Sequence, residues 1–162
     1  DPETVDLARV LDDLARIQND QDARGVSVRV ICETDDPRMR GHESPIGRVF
    51  MNLLDNAATF SEAGGEVRVT IERTADPRPG VIVHVDDDGP GIPEENLEAI
   101  FSRFYTSRPD GAAFGAHSGL GLAIARQIVL AHGGEIVASN RRGEAQTPLG
   151  ARFSVTLPAA TR

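Results

Sequence analysis

Cysteine is all but missing from this chain of 162 residues, where Cys32 stands alone. One thiol closes no internal disulfide and builds no cysteine-rich metal site, and it suits a reducing compartment. Long hydrophobic runs are missing too. None approaches the ~20 apolar residues that a membrane-spanning helix needs. Positive charge is scarce: 17 Lys and Arg stand against 25 Asp and Glu, a formal net charge of −8. That balance argues against nucleic acid or anionic lipid as the main partner. A phosphate site here must work through local geometry and a metal ion, against the field of the whole domain. There is no Gly-Lys-Ser/Thr phosphate loop, no dinucleotide glycine fingerprint after a strand, no internal repeat and no internal linker. No secretory leader is visible and the chain opens at Asp1 rather than Met, so we expect one domain, residues 1–162, excised from something longer.

The remainder is patterned as a soluble globular domain. Leu7, Val10, Leu11, Leu14 and Ile17 recur at helical spacing, and so do Ile46, Val49, Phe50, Leu53, Leu54 and Ala57. Leu120, Ile124, Ile128 and Val129 predict a third helix that stops at Gly133-Gly134. Between the helices, Val26, Val28 and Val30, then Val67, Val69 and Ile71, then Val81, Val83 and Val85 alternate with polar residues as half-buried strands do. Two more strands are expected near residues 135–139 and 152–157. Residues 37–41 and 76–80 read as turns, Ile92-Pro93-Glu94-Glu95 as the start of a short helix, and 102–118 as a loop without a period. Clean alternation means a sheet with one solvated face. The predicted fold is therefore α+β: a two-layer sandwich, a mixed, mostly antiparallel sheet covered on one face by three helices.

Four segments could carry chemistry. Asn52 and Asn56 lie one turn apart on the same face of the second helix, beside the apolar stripe. Amide oxygens there suit Mg²⁺, which takes few protein ligands, although solvated asparagines fit the same spacing. In Asp86-Asp87-Asp88-Gly89-Pro90-Gly91-Ile92, period two carries the inward face of the preceding strand onto Asp87, leaving Asp86 and Asp88 pointing away. An inward carboxylate needs a donor, and an adenine amine supplies one. Gly89 and Gly91 would let the backbone approach a flat base. A hairpin turn with solvated acids is the alternative. The aromatics of Ile100-Phe101-Ser102-Arg103-Phe104-Tyr105 either anchor the loop beside a pocket or pack into the core. Ser118-Gly119-Leu120-Gly121-Leu122 opens the third helix, where exposed N–H groups and the helix dipole favour phosphate.

In order and spacing, these segments resemble the N, G1, F and G2 boxes of the histidine-kinase ATPase domain, of the gyrase, Hsp90 and MutL nucleotide-binding fold. The resemblance runs from about Asp6 to Pro158, and the wording is most similar to alphaproteobacterial sensor kinases. It implies binding of ATP and Mg²⁺, with Asn56 on the metal, Asn52 helping to hold phosphate, and both asparagines serving catalysis. It implies an adenine site of Asp87, Gly89, Gly91 and Ile92, with Phe60 against the nucleotide and Phe101 and Tyr105 beside it. Ser118, Gly119, Leu120, Gly121 and Leu122 would meet the phosphates, and the stretch from about Ser102 to Ser118 would form a lid. The implied parent is a cytoplasmic kinase region on a homodimer anchored in the bacterial inner membrane. It would act on its own dimerisation and phosphoacceptor helices and, through them, on a response regulator. Three positions depart from the family pattern: Thr59 and Thr106 where a basic residue is common, and His117 where Gly is common.

The acceptor itself is not recognisable. His42-Glu43-Ser44-Pro45 imitates an acceptor motif, but its proline comes two residues early. His84 falls on a strand, and His132 falls at a helix C-terminus, where a charged imidazole would favour the dipole. All four histidines, His117 included, read as structural or solvated. The sequence thus predicts a domain that supplies the γ-phosphate for a histidine elsewhere. A serine kinase of the anti-sigma-factor type and a nucleotide-binding scaffold are the alternatives.

Overall fold

A computed structural model describes residues 1–103, 121–144 and 147–161. Its main sheet has five strands in the order β2-β4-β5-β7-β6: β2 Ser27–Cys32, β4 Glu66–Thr74, β5 Gly80–Asp86, β6 Glu135–Arg142 and β7 Pro148–Pro158. β2 and β4 are parallel, and the other pairs are antiparallel. Helices α1 (Leu7–Gln21), α2 (Glu43–Phe60) and α3 (Gly121–Ala131) are the three described α-helices. Val67, Val69, Ile71, Val81, Val83, Val85, Phe153, Val155 and Leu157 share one core with the helices. The opposite face carries Thr70, His84 and Ser154 in one cross-strand row, and Arg68, Asp86 and Arg152 in the next. The expected α+β two-layer sandwich, mixed and mostly antiparallel, is the observed architecture. Among the described residues no helix is long and apolar enough to cross a membrane.

Four expectations are revised. The turn expected at residues 37–41 is a strand, β3 (Arg38–Gly41), paired antiparallel with a second unexpected strand, β1 (Glu3–Asp6). Together they bury Val5 and Met39. The apolar stripe of α1 ends sooner than its spacing suggested: Ala15 is buried but Ile17 is 46% exposed. The buried face of α3 runs through Leu122, Ala125 and Val129, while Ile124 and Ile128 are only partly buried and Leu120 lies outside the described residues. The short helix after Pro93 is a 3-10 turn over Glu94–Asn96, with Pro93 as its cap.

α2 is pinned along its length. At its start, the N–H of His42 donates to Nε2 of His132 (3.1 Å), whose Nδ1 faces the Ile128 carbonyl at 2.8 Å. The His132 ring thus bridges the end of α3 to the start of α2. In the middle, Asn52 Nδ2 donates to the Gly121 carbonyl at 3.1 Å. At its end, Arg24 closes the helix: Nη2 donates to the carbonyls of Ala58 and Ser61, both at 2.6 Å. A cation on the last carbonyls also complements the helix dipole. Replacing Arg24 by Ala should cost about 1–2 kcal/mol, the worth of charge-assisted bonds partly open to solvent. Urea denaturation would read this as a lower midpoint at unchanged slope.

Candidate functional site

The end of β5 turns away from the sheet beside the last turn of α2. Asp87 follows the last strand residue and is 2% exposed, as period two required. Its N–H continues the ladder to the Ala151 carbonyl at 3.1 Å. Its Oδ1 accepts from the N–H groups of Gly89 (2.9 Å) and Ala151 (3.1 Å). Among the described residues Oδ2 accepts no hydrogen bond. Burial pushes the Asp87 carboxyl above the ordinary carboxylate range, while the two N–H donors and the nearby Arg141 partly offset that rise.

Its two neighbours behave differently from one another. Asp86 does point to the opposite face, yet it is not solvated there: at 5% exposure it lies under Arg152, which grips both oxygens at 2.7 and 2.9 Å. Asp88 is exposed and held below the usual carboxylate range by hydrogen bonds from Arg68, with Arg141 adding to the effect.

Glycine is required twice in the surrounding backbone. A Cβ on Gly89 would sit 2.4 Å from the Phe60 carbonyl, so the loop lies directly against the end of α2. Gly150 has φ +138°, and a Cβ there would come within 1.9 Å of the Asp87 carbonyl. Gly91 adopts φ +83°, which turns the chain toward Ile92.

The other predicted residues divide into three groups. Asn56, 2% exposed, and Asn52 face inward from α2, one and two turns before Phe60, which is partly buried against the core. Phe60 and the Asp87–Gly89 turn meet where the end of α2 faces the loop after β5, Gly91 and Ile92 continue that loop, and Asn56 and Asn52 lie further back on α2, with Gly121 joined to Asn52. Leu122 and Phe101 are core residues. Phe101 stands edge-on to Phe153 at 6.1 Å, with the Arg126 guanidinium 5.4 Å over its ring. Tyr105, Thr106, His117, Ser118, Gly119 and Leu120, and nearly all of the expected lid, lie outside the described residues. Among the described residues no cluster of three or more His, Cys, Asp and Glu could hold a metal ion.

Sequence reasoning missed two residues at the end of β6. Asn140 clamps Ile92 from both sides, accepting from its N–H at 2.7 Å and donating to its carbonyl at 2.6 Å. Arg141 Nη2 reaches the Asp87 carbonyl (2.7 Å), Asp88 Oδ1 (2.8 Å) and the Leu149 carbonyl (3.1 Å). An asparagine followed by an arginine at a strand end carries no periodic signal, so nothing in the sequence marks them. Thr59 turns its hydroxyl back onto the Asp55 carbonyl at 2.7 Å.

Because the folded Asp87 carboxyl binds its proton more tightly than the unfolded one, its contribution to stability is present at low pH. It is lost as pH rises through the raised folded value. Asp87→Asn keeps an acceptor for both N–H groups without the buried charge. We therefore expect this variant, free of nucleotide, to be at least as stable as the wild type at neutral pH, with the gap closing on acidification. Paired urea titrations across pH test this, and a gap that widens in acid would contradict it.

Residues 41–161 match the family described as histidine kinase-, DNA gyrase B- and HSP90-like ATPases. The sensor protein ChvG of Rhizobium meliloti is 42% identical over 98% of this chain, which spans 28% of that relative's length. The structure is similar to that of a mycobacterial sensor histidine kinase, MprB, with a TM-score of 0.81 at 34% identity over 99% of both chains. It is also similar to histidine kinase ThkA solved with the response regulator TrrA, with a TM-score of 0.78 at 26% identity, covering 98% of this chain and 42% of that one. With an inward aspartate, a glycine turn and paired helix asparagines in the family's order, this chain belongs to the histidine kinase-, gyrase B- and HSP90-like ATPase family, on its sensor histidine kinase branch.

Proposed function

We propose that this domain binds Mg·ATP and delivers the γ-phosphate to a histidine on a separate helical segment of a two-component sensor kinase. The observation that carries the reading is the Asp87 carboxylate. It is buried, it is held by backbone donors on one oxygen, and its loop meets the end of the helix that carries the paired asparagines. A carboxylate in that position lacks a donor for its second oxygen, and the exocyclic amine of adenine is such a donor. Guanine would offer a carbonyl there and be repelled, so the site should favour ATP over GTP.

The amide oxygen of Asn56 is a hard neutral ligand, and a metal with so few protein donors nearby fits Mg²⁺ completed by water and phosphate oxygens. When bound, Mg²⁺ supplies charge neutralisation on the transferring phosphoryl group. The chain's own residues do the rest. Asp87 with Gly89 and Gly91 orients the base, and Asn56 holds the triphosphate end. Asn52 ties α2 to the start of α3, where Ser118, Gly119, Leu120, Gly121 and Leu122 would present backbone N–H groups. Phe60, Phe101 and Tyr105 would bound the nucleotide, and Asn52 and Asn56 are the residues proposed for catalysis. Positioning of this kind is what phosphoryl transfer mainly requires.

Of the described histidines, His42 and His132 staple two helices, and His84 Nδ1 lies 2.7 Å from the Ser154 hydroxyl. None of these three is presented as a nucleophile, and we propose that the acceptor lies on the helices of a longer parent. We propose that this parent is a homodimer anchored in the inner membrane, with this domain on the cytoplasmic side and a response regulator downstream. ThkA, solved together with TrrA, supports the last point.

Calorimetry should show binding of Mg·ATP and ADP by this chain, weaker binding of GTP, and a loss of roughly 10- to 150-fold in Asp87→Asn. Asn56→Ala should lose the Mg²⁺ dependence of the triphosphate affinity. With γ-labelled ATP the isolated chain should take up no label. Adding the acceptor helices should yield an acid-labile phosphate, whereas acid-stable label on a separate protein would favour a serine kinase. No binding at millimolar nucleotide would leave only a scaffold.

A further inference from the structure

The β6 end reaches the Asp87 loop by a route the proposed nucleotide site does not use directly. All three hydrogen bonds of Arg141 leave from the single atom Nη2, toward the Asp87 carbonyl, Asp88 Oδ1 and the Leu149 carbonyl. Its Nε is buried and makes no hydrogen bond among the described residues. An arginine bonds a single carboxylate most strongly by pairing two donors with it. Arg152 does so on Asp86 one strand away. Arg141 instead leaves a buried donor unsatisfied and concentrates on the peptide that carries the recognition carboxylate.

We infer that Arg141 is a positioning residue for nucleotide recognition: by gripping the Asp87 carbonyl and Asp88 together, it fixes where Asp87 presents Oδ2. Asn140, next in the strand, fixes the far side of the same loop through both backbone groups of Ile92. The loop from Asp87 to Ile92 is therefore strung between two adjacent side chains of β6. The inference rests on the reading of Asp87 as the adenine acceptor.

Charge adds to geometry. The charged groups around Asp87 are Asp86, neutralised by Arg152 of β7, and Asp88, shared by Arg68 of β4 and Arg141 of β6. The end of α2 meets the loop at the Phe60 carbonyl. Asp88 pushes the Asp87 carboxyl up, and Arg141 pulls it down. Removing Arg141 leaves Asp88 with Arg68, at 3.0 Å, and leaves the Ala151 ladder intact, so the fold has no new unpaired carboxylate.

Arg141→Gln and Arg141→Lys test the inference with two readouts. The first is the ¹³C titration of the Asp87 carboxyl in nucleotide-free protein. The second is Mg·ATP affinity across pH. Arg141→Gln should move the Asp87 titration to higher pH and carry the acid-side loss of ATP affinity with it. The loss is roughly tenfold per pH unit of displacement at a pH below the titration. Arg141→Lys, which keeps the charge, should return the titration most of the way. An Asp87 titration unmoved in Arg141→Gln would overturn the inference, even if that variant melted earlier. If the wild type bound no nucleotide, the adenine reading would fail by itself, and the carboxyl titration would still decide what Arg141 does.

Discussion

A carboxylate withdrawn from water at the junction of sheet and helices sets the terms for this end of the molecule. Taking such a group out of water costs several kcal/mol unless donors replace its hydration. Asp87 recovers part of that from Gly89 N–H and Ala151 N–H, and part from the field of Arg141. Each donor demands something of the chain. The Ala151 bond needs β7 to run past the end of β5, and the close approach of β7 to the Asp87 carbonyl admits no side chain at position 150. The Gly89 bond folds the loop against the Phe60 carbonyl, where a Cβ has no room. Arg141 arrives because β6 is also extended, through Arg142. The length of three strands and two glycines thus follow from one buried charge.

Every basic side chain in the sequence is arginine; lysine is absent. The described arginines show why that matters. Arg24 spans two helix carbonyls, Arg152 takes both oxygens of Asp86, and Arg38 does the same to Asp36, with Arg73 on the Asp36 carbonyl as well. The bidentate grips of Arg152 and Arg38 are tasks for a planar fork rather than a point charge. They also commit the cations to internal acceptors.

The helices and the central strands were legible because each places a run of apolar residues at one period, and burial followed that period at Val67, Val69, Ile71 and at Ile46 through Ala57. Asp87 was legible for the same reason, as the next inward step of β5. The small sheet was not. β1 and β3 have four residues each and hold together by pairing with one another, so no run of alternation was long enough to see. Asn140, Arg141 and Gly150 were invisible for a different reason. Their meaning lies in contacts with the backbone of residues about fifty positions away, and a backbone partner leaves no mark in the identity of the residue that carries it.

The same principle explains how α2 can hold its asparagines at a set height. Besides the Arg9–Glu43 ion pair, several of its ties to other elements run through main-chain groups: the His42 N–H at one end, the Ala58 and Ser61 carbonyls at the other, and the Gly121 carbonyl reached from Asn52. Main-chain partners persist through substitution at their own positions, so the frame around the site tolerates sequence change on one side of each bond. What it does not tolerate is change on the other side, at Asn52, Arg24 or His132, where the side chain is the bond. Asn52 is the sharpest case. Its Nδ2 reaches the first residue of α3 from a position one helical turn before Asn56 on the same face of α2. The two asparagines of one helix face are therefore held differently: Asn52 couples α2 to the start of α3, and Asn56 is buried one turn further along.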